Sequence, residues 1–138
     1  MNNFVDIVIE QLIRHEGKRN KPYRDTVGKL SIGIGRNLDD VGLRDDEIYI
    51  LLENDIETAV NGIRKLVRGF DGLTENRKAV LVNMMFNMGY LTLSKFSNTL
   101  KAVEEGRYED AAKEMENSKW YKQVKGRAVE LVNLMRVG

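Results

Sequence analysis

The chain has 138 residues, with 22 basic and 21 acidic side chains, a formal net charge of +1, one histidine and no cysteine. Its size fits one domain, or two small lobes sharing a core. The balanced charge carries no footprint for nucleic acid, and the missing cysteines exclude disulfides, thiolate catalysis and cysteine–zinc sites.

Phe4, Val5, Val8, Ile9, Leu12 and Ile13 recur at three- and four-residue spacing, which predicts an amphipathic helix over residues 3–15. Gly17 stands at the expected C-terminal cap. Asp6 and Glu10 interrupt this apolar run and no basic stretch precedes it, so it does not read as a secretion signal. No stretch approaches the roughly 20 apolar residues of a membrane span. The expectation is a protein made soluble in the cytoplasm, without stable membrane insertion.

The period then changes. Leu30, Ile32 and Ile34 alternate with Ser31, Gly33 and Gly35, as in a strand with one buried face. Asp25-Thr26-Val27-Gly28 reads as the turn joining Tyr23-Arg24 to that strand. On this reading the three aliphatic residues anchor the strand, and Ser31 shares an open face with two positions that lack side chains. A bulky ligand could approach that backbone closely. A tight, twisted strand would need the same glycines for its own geometry. A phosphate-cradling loop is poorly supported, because Leu38 stands where a third glycine would be and no helix opens there.

Asp45, Asp46 and Glu47 place negative charge where it favours the start of a helix, and the apolar positions from Ile48 to Ile63 keep a helical period to Leu66. Gly69 to Gly72 breaks it. Thr74 can cap the next helix, whose Ala79, Val80, Val82, Met84, Met85, Phe86 and Met88 are apolar on most sides, as in a helix at the centre of a domain. Gly89 ends that helix. Shorter helices are predicted over 93–104, 108–116 and 127–136, with Trp120 to Gly126 as a connection.

Two carboxylates differ in local character. Glu16 falls at the C-terminal end of the first helix, where the helix dipole and partial burial both favour a protonated acid, as a general acid requires. Asp25 sits in a turn whose backbone N–H groups and solvent favour the ionised form. One carboxyl that gives a proton beside one that stays charged is the arrangement of glycoside hydrolysis. Two solvated surface acids would fit the local pattern as well.

Glu16-Gly17, Tyr23-Arg24-Asp25-Thr26, Gly28 and Ile32-Gly33-Ile34-Gly35 together resemble the N-lobe signature of the phage-type lysozymes, the endolysin family that includes the T-even phage enzyme. The resemblance continues through Asn83-Met84-Met85-Phe86-Asn87-Met88-Gly89, Phe96-Ser97-Asn98-Thr99-Leu100 and Ser118-Lys119-Trp120-Tyr121, then Arg127-Ala128. It implies an α+β, mostly α-helical, lysozyme-like fold over residues 1–138. Residues 16–50 would form a small β-hairpin lobe, 1–15 and 67–138 a helical lobe, and 45–66 the connecting helix.

The resemblance also implies a muramidase that cleaves the β-1,4 bond between N-acetylmuramic acid and N-acetylglucosamine in peptidoglycan. Glu16 would protonate the leaving oxygen, while Asp25 and Ser31 would hold the attacking water. Such an inverting arrangement sets the carboxyls roughly 6.5–9.5 Å apart. Serine keeps the hydroxyl of the family's usual threonine but lacks the methyl that restricts its rotamer. Gly33, Asn87, Phe96 and Arg127 would contact the glycan, and Arg127 would also hold Glu16 in place. Arg36 replaces the histidine of the T-even enzyme, so any ion pair made there must differ. No metal or organic cofactor is implied, and nothing demands more than a monomer. A separate membrane-permeabilising protein would let the enzyme out of the host cytoplasm to the wall. Two other readings are a lytic transglycosylase, which needs only one glutamate, and a non-catalytic glycan-binding module.

Overall fold

The computed structural model describes residues 3–138. The chain divides into two compact units, Met1–Ile50 and Leu51–Gly138.

The first unit opens with α1 (Phe4–Glu16). Asn3 Oδ1 accepts from the N–H of Asp6 (3.1 Å), and Asp6 Oδ2 accepts from the N–H of Asn3 (3.3 Å). This reciprocal capping box satisfies two donors that the helix itself cannot. At the other end Gly17 adopts φ 77° and its N–H reaches the carbonyl of Ile13, so the helix stops where glycine allows it. The predicted apolar stripe is present, although no α1 residue is buried.

Three antiparallel strands follow in the order β1 (Arg19–Arg24), β2 (Leu30–Gly33) and β3 (Arg36–Asn37). The turn lies where the sequence places it, with the N–H of Gly28 donating to the Asp25 carbonyl at 3.0 Å. Tyr23 faces Ser31 and Arg24 faces Leu30, with a register irregularity between Arg19 and Tyr23. Across β2, Ser31 faces Asn37 and Ile32 faces Arg36. The third strand went unpredicted because two residues carry no readable period.

The expected face assignment of β2 is overturned. Ser31 is 3% exposed, whereas Ile34 is 40% exposed and Leu30 and Ile32 are half-buried. Ser31 is a small residue on the central strand, with Tyr23 of β1 and Asn37 of β3 as its partners on either side.

Helix α2 (Asp45–Leu66) begins in the first unit and ends in the second, over the predicted span. A 3-10 turn, Phe70–Gly72, then leads to α3 (Glu75–Met88). Thr74 caps α3 as expected, accepting from the N–H of Arg77 at 3.2 Å, and Gly89 terminates it at φ 83°. Only one face of α3 is buried, through Val80, Leu81, Met84 and Met85. Ala79 and Phe86 are exposed and Val82 is half-buried, so the all-round burial expected of this helix is incorrect. Its open side lines an apolar groove of about 590 Å³ shared with Leu52, Ile56 and Val60 of α2.

The predicted helix 93–104 is two helices, α4 (Tyr90–Ser94) and α5 (Ser97–Glu104). Ser94 Oγ donates back to the Leu91 carbonyl, and the N–H groups of Lys95 and Phe96 bond three residues back, tightening and ending the first piece. Helix α6 (Tyr108–Glu116) packs against α5 and α8 (Gly126–Val137), with Ala111 and Ala112 permitting close approach. Between α6 and α8 the expected connection is itself a helix, α7 (Lys119–Val124), capped by Ser118 Oγ. Lys125, at φ 49°, separates it from α8. Ala128, Leu131, Val132 and Met135 form the buried stripe of α8 at helical spacing.

Candidate active site

Glu16 is the last residue of α1 and is exposed, so burial adds nothing to its setting. Its carboxyl lies against the tight connection between β2 and β3. A Cβ built on Gly35 would stand 3.0 Å from Glu16 Oε2. The helix end thus delivers the acid to a stretch of backbone that has no side chain of its own.

Asp25 closes β1 and directs the hairpin turn. Its Oδ1 accepts from the N–H of Val27 at 3.0 Å and of Lys29 at 2.8 Å. Its own N–H donates to the Lys29 carbonyl at 2.9 Å. The second oxygen is not consumed by the turn. Because Tyr23 faces Ser31 and side chains alternate, Asp25 and Ser31 project from the same face of the hairpin as diagonal neighbours. Gly33 closes β2 at φ 71°, with open space where a side chain would stand. It lines a groove of about 680 Å³ together with Lys18, Ile32, Ile34, Gly35 and Arg36.

The histidine replacement makes a strong pair. Arg36 donates Nη1 to Glu47 Oε1 (2.8 Å) and Nη2 to Glu47 Oε2 (2.6 Å), and Nη1 also reaches the Gly42 carbonyl. Glu47 additionally accepts from the Arg44 N–H at 2.8 Å, where α2 begins. The Arg36 bonds first, then the backbone bond, hold the Glu47 carboxyl down to about 2. The sequence pointed to a changed ion pair at Arg36 but not to Glu47 as its partner, eleven residues on.

The remaining expected site residues lie in the second unit. Asn87 is exposed, and its Oδ1 accepts from Trp120 Nε1 at 2.7 Å. Indole nitrogen only donates, so the amide oxygen must face it. Trp120 itself is 6% exposed and belongs to the core, as expected. Arg127 donates Nε to Asn83 Oδ1 at 2.8 Å and Nη2 to the Asn83 carbonyl at 3.4 Å, which ties the start of α8 to α3. Phe96 is half-buried and packs on the core just before α5. Glu16, Asp25, Ser31 and Gly33 therefore belong to the first unit, and Asn87 and Arg127 both hang on α3 in the second. Asn83 was absent from the expected site although it lies in the Asn83–Gly89 segment.

The mostly helical α+β fold with one small antiparallel sheet is consistent with a lysozyme-like protein. The phage lysozyme family profile matches residues 13–136, and the chain belongs to that family. Its relatives include two proteins of Dictyostelium discoideum. Probable T4-type lysozyme 2 is 31% identical, covering 89% of each chain. Probable T4-type lysozyme 1 is 28% identical, covering 97% of this chain and 96% of its own. The SAR-endolysin of Escherichia phage Mu is 30% identical over 83% of this chain and 67% of its own. Family membership implies a glycoside hydrolase with a lysozyme or endolysin role and peptidoglycan as its substrate.

Proposed function

We propose that this protein is a muramidase that hydrolyses the β-1,4 bond between N-acetylmuramic acid and N-acetylglucosamine with inversion. Glu16 protonates the leaving glycosidic oxygen. Asp25, with Ser31 on the same hairpin face, holds and polarises the water that attacks the anomeric carbon from the opposite side. The observation that carries this reading is the unlike setting of the two acids. Glu16 is exposed at the C-terminal end of α1, with its carboxyl against the bare backbone of Gly35. Asp25 has one oxygen pinned by two backbone N–H groups and the other free of the turn.

Clearing of permeabilised Gram-negative cells tests the assignment. Glu16→Gln and Asp25→Asn are each expected to lose at least about a hundredfold in rate, the lower end of general acid–base contributions. Wild type that clears no faster than both variants would end the proposal. The products separate hydrolysis from transglycosylation. Reducing-end muropeptides are expected by mass spectrometry, whereas 1,6-anhydro ends would assign the lytic transglycosylase reaction instead.

A further inference from the structure

Gly33 and Gly35 share almost the same backbone conformation, φ 71° and 69°, yet their surroundings differ. A Cβ at Gly33 would find nothing within 4 Å. The three atoms nearest a Cβ at Gly35 would all belong to Glu16, with Oε2 at 3.0 Å and Cγ and Cδ both at 3.1 Å. Carbon contacts are comfortable at about 3.5–4.0 Å. The Glu16 side chain thus occupies the space that any residue other than glycine would claim at position 35.

We propose that Gly35 is a positioning residue: its bare backbone is the seat that fixes the carboxyl of Glu16. This rests on Glu16 as the catalytic acid. An exposed glutamate with three rotatable bonds has many rotamers open to it, and close contact along its length removes some of them. The seat is itself held. Arg36, the next residue, pairs with Ile32 across the sheet and is clamped by both oxygens of Glu47. A methyl at position 35 therefore displaces the side chain of Glu16 more readily than the backbone.

Gly106, between α5 and α6, provides the control. Its φ of 73° nearly equals that of Gly35, and a Cβ there would find nothing within 4 Å. Gly35→Ala and Gly106→Ala thus carry a similar backbone penalty, and only the first touches Glu16. On soluble, uncross-linked peptidoglycan strands, Gly35→Ala is expected to lose about tenfold or more in kcat with KM near wild type, since a shift of about 1 Å costs roughly a hundredfold. The alkaline limb of its pH–rate profile, where a general acid loses its proton, should move, while Gly106→Ala keeps the wild-type kcat and profile. Equal kcat and identical profiles for the two variants would overturn the proposal.

A stability cycle with Glu16→Ala reads the contact without using activity. Removing the Glu16 side chain should reduce the destabilisation by Gly35→Ala to that of Gly106→Ala, and should restore folding if Gly35→Ala alone folds poorly. Strict additivity would refute the seat. A fully active Glu16→Gln would instead overturn the acid assignment, and with it the catalytic meaning of the seat, so the two failures are told apart.

Discussion

Asn87 has two chemically different ends, and they have different partners available. Its oxygen accepts from Trp120, whose ring is buried in the core of the second unit. Asn87→Ala strands a buried N–H, which costs about 1–3 kcal/mol. Asn87→Asp keeps an acceptor for the indole while removing the amide donor. Urea unfolding followed by Trp120 fluorescence should therefore show Asn87→Ala destabilised by about 1–3 kcal/mol and Asn87→Asp much closer to wild type. Turnover of the folded variants then reports the amide donor separately. If Asn87→Ala unfolds at the wild-type midpoint, the bond to Trp120 carries no stability. The same division of labour applies to Arg127, whose guanidinium serves α3 through Asn83 whatever else it meets.

At the level of the element, the start of α2 is a charged junction built on Glu47. Glu47 supplies the backbone half of a capping box at Arg44 and both oxygens of the clamp on Arg36. Folding lowers its carboxyl from an ordinary 4.5 to about 2, chiefly through the Arg36 bonds. The folded state therefore binds that proton less tightly than the unfolded chain. The associated stability is fully present above pH 4.5 and is lost as pH falls towards 2. Thermal melts of wild type and Glu47→Gln from pH 7 to 2 check this. The variant should melt lower at pH 7, with the gap closing below pH 4.5; a gap constant across the range would remove Glu47 from the acid response. The helices α1, α2 and α8 were legible because apolar spacing repeats over three or more turns. Strand β3 and helix α7 were not, because they are too short for a period to declare itself. The acids of the candidate site were legible as local motifs. Ser31's burial and the Gly35–Glu16 contact were not, because strand partners and a neighbouring helix end create them.

Across the whole molecule, the forces holding the two units differ in kind. Among the described residues, every buried apolar side chain lies between Ala59 and Met135, and Ser31 is the only buried residue before them. The second unit rests on fully buried side chains such as Leu81, Met84 and Met135, where truncation to alanine typically costs 2–5 kcal/mol each. The hairpin rests on its ladder, on Asp25, and on partly exposed pairs such as Lys29–Asp40 at 3.1 Å and Arg24–Asp39 at 3.6 Å. Exposed pairs of that kind contribute about 0–1 kcal/mol. Local opening of β1 and β2 should therefore need less free energy than opening α3 or α8. Native-state hydrogen exchange is expected to give the hydrogen-bonded amides of β2 protection factors about a hundredfold below those of Leu81, Met84 and Val132. Equal protection in the hairpin and in α3 would mean that the ladder and its polar ties hold as firmly as the apolar core, contrary to the burial that separates them.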